Sequence, residues 1–67
     1  MVNPNLRANP KDPSHREFVL RFSRRTCSVC NRLVSPDDLD FDYIIPKQSG
    51  GPDVLWNVRA AHRQCRV

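Results

Sequence analysis

The sequence predicts a small α+β domain stabilised by zinc, and three observations support this. The chain has only 67 residues, a length at which a hydrophobic core alone often gives too little stability. It carries two short pairs of metal-ligand residues, Cys27-Ser-Val-Cys30 and His62-Arg-Gln-Cys65. One helix-like segment precedes the first pair, and one strand-like segment lies between the pairs. We therefore expect a single domain in which a metal ion closes the loop between the pairs.

The two pairs have the spacing of a structural zinc site. Two intervening residues let both members of a pair reach one ion, and three Cys with one His form a tetrahedral set. Three cysteines would leave one thiol unpaired in a disulfide framework, so the set fits a reducing compartment. Three buried structural cysteines would not explain the pairing. We predict structural Zn²⁺ with four ligands: Cys27, Cys30, His62 and Cys65.

The basic, Arg-rich composition indicates a nucleic-acid partner. The 11 cationic and 7 acidic residues give a net charge of +4. Only Lys11 and Lys47 of the cationic residues are lysines, and the forked guanidinium of the others suits phosphate. The alternative, that the charge merely solvates a small fold, stays open. Neither an apolar run of about 20 residues nor a signal peptide is present, so we expect a cytoplasmic protein without a membrane partner.

The N-terminal part of the chain predicts an arm followed by a domain. Residues 1–13 contain three prolines and three asparagines without apolar periodicity, which is typical of an irregular and flexible segment. Arg7 and Lys11 could touch phosphate, although a plain mobile terminus is the simpler interpretation. Residues 14–67 are expected to form the zinc domain.

A helix is expected from Ser14 to about Arg24. Ser14 and Glu17 form a capping-box pattern at its start. His15 lies in the first turn, where we expect a surface residue. The arginines of this segment either line DNA or form an ordinary solvated face. The apolar residues at helical spacing predict a buried stripe, which consists of Phe18, Val19 and Phe22, with Leu20 to one side.

A strand and a glycine loop are expected between the two ligand pairs. Residues 39–44 alternate in the period-two pattern of a half-exposed strand. Residues 47–53 include Gly50-Gly51-Pro52 and must turn sharply. Residues 54–56 are apolar anchors, and Trp56 is expected in the core. The two predicted strand faces are Leu39, Phe41 and Tyr43 on one side, and Asp40 and Asp42 on the other.

The order of these motifs resembles the HNH endonucleases, the ββα-metal nucleases, in the form that carries zinc knuckles. The resemblance rests on Asp42-Tyr43-Ile44-Ile45-Pro46, then Gly50-Gly51, then Asn57, then His62-x-x-Cys65, and covers roughly residues 16–66. It implies an HNH-like ββα-metal domain with an N-terminal helix. It also implies a phosphodiester hydrolase that cuts or nicks DNA.

The resemblance assigns a role to four residues. Asp42 would bind a catalytic divalent ion, Mg²⁺ or Mn²⁺, and Asn57 would fix the backbone of the catalytic loop. Tyr43 stands where the family has its general-base histidine, and Arg66 stands where the family has its last histidine. Only about a thousandth of an unperturbed tyrosine is ionised at pH 7, so Tyr43 would act as a base only if its pKa were lowered. Arg66 could contact the scissile phosphate directly.

Several interpretations stay open from the sequence alone. The favoured one is an enzyme, a metal-dependent HNH nuclease or nickase. The second is a non-catalytic zinc module on the same fold that binds nucleic acid or a protein partner, and the third is an inactivated or truncated version of a competent nuclease. Residue by residue, Asp42 could be a solvated acid, Asn57 a turn residue or helix cap, and Tyr43 a packed aromatic.

Overall fold

The structure, a computed structural model, describes residues 2–66; Met1 and Val67, the outermost residues of the predicted arm and domain, lie outside this range. Its helix and strands are α1 (Pro13–Phe22), β1 (Leu39–Tyr43) and β2 (Val58–His62). Short 3₁₀ turns span Pro36–Asp38, Lys47–Ser49, Leu55–Asn57 and Arg63–Arg66. Within residues 2–66, no helix combines the length and the apolar character needed to cross a membrane. The predicted small α+β architecture is confirmed.

Helix α1 begins at Pro13 because Asp12, and not Ser14, caps it. The Asp12 carboxylate accepts hydrogen bonds from the backbone N–H of Ser14 at 2.9 Å and from its hydroxyl at 2.7 Å. Pro13 takes the first helical position, where its missing N–H would be unsatisfied anyway. The predicted capping box is therefore wrong, and Glu17 pairs instead with Arg21 at 3.1 Å.

The buried face of α1 differs from the predicted stripe. His15, Val19 and Leu20 are buried, whereas Phe22 is 51% exposed. His15 was expected on the surface, but the chain before the helix covers it, and its Nδ1 accepts a hydrogen bond from the Asn9 backbone at 3.1 Å. Phe22 is the last residue of α1, and its ring stacks on Phe18, with 5.8 Å between the ring centroids, instead of entering the core.

The two strands form one antiparallel pair whose inner face supports the core. Leu39 lies opposite His62, and Tyr43 lies opposite Val58. Leu39 and Phe41 are buried while the acidic residues that follow each of them, Asp40 and Asp42, are half-exposed, so the predicted alternation of faces is confirmed. The core against this face comes from α1, both strands and the turn before β2, and its largest fully buried apolar side chains are Leu55, Val19 and Val58.

The segment before α1 lies along residues 53–56. Ala8 is buried, and three backbone hydrogen bonds join the two segments: Ala8 N–H to Asp53 O at 3.1 Å, Leu55 N–H to Leu6 O at 3.0 Å and Trp56 N–H to Pro4 O at 3.0 Å. Trp56, expected in the core, is 40% exposed because Leu55 takes the inward position with no exposure. The mobility of residues 1–13 and the domain boundary after them stay predictions.

The loop between the strands turns on two glycines with different requirements. Gly50 has φ +86, a left-handed conformation that favours glycine. A Cβ on Gly51 would lie 1.8 Å from the carbonyl oxygen of Ile45, so no larger residue fits there unless the backbone moves. The loop therefore closes tightly over residues 45 and 46.

Candidate functional site

The four predicted zinc ligands come together at one end of the strand pair. Their donor atoms, three Sγ and one imidazole nitrogen, all lie within 4.8 Å of one another. The Nδ1 of His62 is 3.3 Å from the Cys30 Sγ and 3.7 Å from the Cys65 Sγ. Donors this close can share one ion, and three thiols with one imidazole are the donor set of a closed structural zinc site. The cluster can therefore hold a metal ion, and zinc fits it best.

Backbone hydrogen bonds build the first zinc knuckle, residues 27–33 with the ligands Cys27 and Cys30, and attach it to the sheet. The Cys27 N–H donates to the Arg32 carbonyl at 2.8 Å, and Asn31 at φ +63 lets the chain reverse between them. The Ser28 N–H donates to the carbonyl of Ala60 in β2 at 3.0 Å. Because His62 ends the same strand, this contact places the first knuckle beside the second ligand pair.

The His62 ring is oriented by a contact outside the cluster. Its Nε2 lies 2.9 Å from the Leu33 carbonyl oxygen, which can only accept a hydrogen bond, so Nε2 carries the proton and the Nδ1 lone pair is left for a metal. Such a hydrogen bond to the second ring nitrogen is usual for zinc-binding histidines. The Leu33 carbonyl also raises the pKa of His62.

The thiols of the cluster differ in acidity. Burial raises the pKa of Cys27, but backbone N–H groups of Cys30, His62 and Val29 outweigh it and bring the pKa down to about 6. Burial, together with the neighbouring sulfurs of Cys27 and Cys30, raises the pKa of Cys65 to about 11. Three thiolates in one cluster repel one another, and a bound cation removes that repulsion. The donor set thus favours occupation by a cation.

Asn57 fastens the loop between the strands from the inside. It has no solvent exposure, and its Nδ2 donates to the carbonyls of Ile45 at 3.1 Å and Pro52 at 2.9 Å. Its Oδ1 accepts the Ile45 N–H at 2.9 Å. These bonds join both ends of the loop, which is the contact pattern that a loop-positioning asparagine requires. Its role in catalysis stays a prediction.

Tyr43 is held by a carboxylate that the sequence analysis did not single out. Its hydroxyl donates to Asp53 Oδ1 at 2.6 Å, and Arg7 Nε lies 3.4 Å from the other oxygen of Asp53. Burial and the hydrogen bond to Asp53 raise the pKa of Tyr43, although Lys47, 4.9 Å from the ring centroid, opposes them. A base at neutral pH would need the opposite shift.

Asp42 and Arg66 meet on the outer face of β1. The Ser28 hydroxyl donates to Asp42 Oδ2 at 3.0 Å. Arg66 places Nη1 3.1 Å from Asp40 Oδ2 and Nε 3.8 Å from Asp42 Oδ1. The Arg66 guanidinium thus interacts with both carboxylates, which a catalytic divalent ion would need as ligands. In this arrangement Arg66 neutralises part of the negative charge of Asp42, and the binding of Mg²⁺ or Mn²⁺ by Asp42 stays a prediction.

The sequence analysis missed the site contributions of four residues: Arg7, Ser28, Asp40 and Asp53. A signal existed for Asp40, because the period-two pattern places it on the same face as Asp42. Asp53 and Arg7 meet Tyr43 only through the tertiary fold, and no local pattern indicates such a contact.

Fold and cluster together define a small α+β domain with zinc knuckles. The HNH endonuclease family model matches residues 27–66, from the first candidate zinc ligand to the residue after the last. This match covers more than half of the chain, which therefore belongs to the HNH endonuclease family. The resemblance inferred from the motifs and the HNH-like fold class are both confirmed. Searches of curated proteins and of solved structures found no match.

Removal of the metal is expected to unfold the domain. Structural zinc contributes an apparent ~10–16 kcal/mol in small zinc-finger peptides at pH 7, and the thin core here offers little to replace it. Elemental analysis should find one zinc ion per chain, and a strong chelator should abolish the thermal transition seen by circular dichroism. Cys30→Ser should lose zinc, whereas Val29→Ala, an exposed change in the same knuckle, should retain it. A metal-free protein with an unchanged transition would contradict this prediction.

Tyr43 is expected to ionise at a higher pH than an ordinary tyrosine. The chain has one tyrosine, so ultraviolet titration of the phenolate band reports Tyr43 alone. The midpoint should exceed 10.0, the ordinary pKa, because burial and Asp53 favour the neutral phenol. Since the folded pKa is raised, this contribution to stability is present below about pH 10 and is lost as pH rises through the folded pKa.

Asp53→Asn should bring the Tyr43 midpoint down, because it removes the negative charge at the hydroxyl. Asp38→Asn, a matched change beyond the opposite end of β1, should leave it unchanged. Circular dichroism at each pH establishes that the chain is still folded. A folded wild-type midpoint at or below 10 would contradict the prediction.

Proposed function

We propose that this HNH domain binds the DNA backbone at the outer face of β1 and the loop that follows it, and that binding is its primary activity. The family supports a nuclease-type or nucleic-acid-binding domain. One observation favours binding over hydrolysis: the guanidinium of Arg66 interacts with both Asp40 and Asp42, where a catalytic ion would lie.

The proposed face presents several cations to a phosphate chain. An open cleft of about 360 Å³ is lined by Asp42, Tyr43, Lys47 and Arg66, among others. The Arg66 side chain is 35% exposed, and a guanidinium has five donors, so its contacts with Asp40 and Asp42 leave others for a phosphate oxygen. Arg59 is exposed on β2 in register with Asp42. Forked donors of this kind suit phosphate contacts that position a protein on DNA.

The residues at the two histidine positions of the family motif, Tyr43 and Arg66, do not favour hydrolysis. A phosphodiester hydrolase needs a group that accepts a proton from water near pH 7. The raised pKa of Tyr43 keeps its phenol protonated at that pH, and its hydroxyl already donates to Asp53. Arg66 cannot be deprotonated. Neither Tyr43 nor Arg66 can therefore replace a histidine base near pH 7, which favours holding DNA over cutting it.

Metal-dependent nicking of DNA is the second candidate function. It is supported by Asn57, whose three hydrogen bonds hold the loop, and by the half-exposed carboxylate of Asp42 beside the same cleft. In this candidate function Asp42 would hold Mg²⁺ or Mn²⁺, Tyr43 would act on the proton of water, and Asn57 would position the loop. Binding of a protein partner is the remaining alternative, and its affinity would not depend on contacts with phosphate groups.

DNA binding is expected to weaken with salt and to depend on Arg66. Fluorescence anisotropy with a labelled duplex should show log K falling linearly with log salt, by about 0.9 for each phosphate neutralised. Arg66→Gln should lower the slope by about one. Arg21→Gln, a matched change at an exposed arginine of α1 that pairs with Glu17, should leave the slope unchanged. Equal affinity at low and high salt would contradict the proposal and favour a protein partner.

Restoring the two histidines that the family motif has at these positions is expected to create a nuclease. With Mg²⁺ or Mn²⁺, the wild type should leave supercoiled plasmid intact. The Tyr43→His and Arg66→His double variant should nick it, because it regains a base with an ordinary pKa of about 6.5 and frees Asp42 for an ion. Asp42→Ala in that background should abolish the nicking. Wild-type nicking that is lost on Asp42→Ala would instead establish the second candidate.

A further inference from the structure

A second cleft lies between the C-terminal end of α1, the first zinc knuckle and β2. Its volume is about 310 Å³, and the residues that give it a chemical character are Phe22, Arg24, Asn31 and Arg59. It thus brings together one aromatic ring, two guanidinium groups and one amide. No acidic side chain lines it, so its charge is complementary to an anion. We call it the Phe22 cleft.

Phe22 gives this cleft a surface for stacking. Its side chain is 51% exposed although it ends a helix that contributes to the core. The ring is nearly parallel to that of Phe18, at an angle of 7°. An exposed ring at the end of an aromatic stack can accept the flat face of a nucleobase, and such stacking tolerates any base.

Arg24 is directed to the same cleft by an unusual backbone conformation. Arg24 and Arg25 have φ +54 and +57, the left-handed region that non-glycine residues rarely adopt. The Arg25 N–H donates to the Leu20 carbonyl at 2.7 Å, and the Thr26 hydroxyl donates to the Arg24 carbonyl at 3.1 Å. The chain therefore leaves α1 in a fixed, sharp turn that brings Arg24 to the cleft.

The guanidinium groups of Arg24 and Arg59 are available for a ligand. Among the ion pairs within residues 2–66, neither arginine has a carboxylate partner, and both are exposed. Two unneutralised guanidinium groups beside an aromatic ring suit a phosphate and its attached base.

The Phe22 cleft is continuous with the proposed DNA face. Ser28 and Arg59 line it and also line a neighbouring cleft of about 280 Å³ that reaches Asp42 and Tyr43. A DNA strand whose phosphate backbone lies along β1 can thus continue past Arg59 toward Phe22.

We propose that the Phe22 cleft holds one unpaired nucleotide of a bound DNA strand. Its base stacks on Phe22, and its phosphate lies between Arg24 and Arg59. This inference rests on the proposed function and adds a preference for DNA that has an unpaired base, such as a bulge or a frayed end, over fully paired duplex.

The test compares the affinity for two labelled duplexes that differ only in a single-nucleotide bulge, in the same salt. The wild type should bind the bulged duplex about 5- to 10-fold more tightly, which is within the effect of one stacked base. Phe22→Ala should remove this preference and leave the affinity for paired duplex within about 2-fold. Phe22→Trp, which keeps a flat ring, should retain the preference.

Two further variants distinguish a contribution of the Phe22 cleft from a general change in DNA affinity. Arg24→Gln should reduce the preference, whereas Arg21→Gln, the same change at an exposed arginine of α1 that does not line the cleft, should not. Zinc content and circular dichroism must match the wild type for each variant. Equal, salt-sensitive binding of both duplexes would overturn this inference and leave the proposed function intact. Binding of neither duplex would overturn both.

Discussion

The Cys₃His cluster is the constraint on which the rest of the molecule depends. The first knuckle has little hydrophobic attachment to the core, since Cys27 is buried but Val29 is 55% exposed and Leu33 is 76% exposed. It is attached to β2 by the Ser28–Ala60 backbone hydrogen bond, by the contact between the Leu33 carbonyl and the His62 ring, and by the convergence of the four donors on one point. An ion at that point joins residues 27–30 to residues 62–65 and so closes the long intervening segment. The strand pair and the outer face of β1 follow from that closure.

The parts that the sequence predicted well are those that local spacing determines. Two residues between ligands place donors side by side whatever the surrounding fold, and the period-two pattern of residues 39–43 fixes which side chains face inward. The start of α1 was predicted wrongly, because Asp12 is as good a cap as Ser14 and Pro13 favours the first helical position after Asp12. The positions of His15, Phe22 and Trp56 were predicted wrongly for one shared reason. Each depends on how the segment before the helix, or the turn after it, packs against distant residues.

The candidate site divides in the same way. Asn57 could be identified from the order of the motif, and the structure shows what its side chain contacts. The contacts of Tyr43 and Arg66 could not be predicted, because Asp53 and Asp40 reach them only after the loop and the final 3₁₀ turn have folded back. These contacts also set the charge state of the site. The sequence left open a lowered pKa for Tyr43, and burial together with the hydrogen bond to Asp53 raises it instead. The chemistry of this face is therefore a tertiary property, even though its residues lie in a recognisable motif.

Asp53 is a partner shared by Tyr43 and by the segment before α1. Its side chain receives the Tyr43 hydroxyl and approaches Arg7, while its carbonyl accepts the Ala8 N–H. Three segments that are far apart in the chain therefore meet at one residue. A substitution at position 43 changes what Asp53 and Arg7 encounter, so the effects of changes at these three positions are not independent of one another. In genetic terms they form an epistatic group, in which the tolerance of one position is conditional on the identity of the other two.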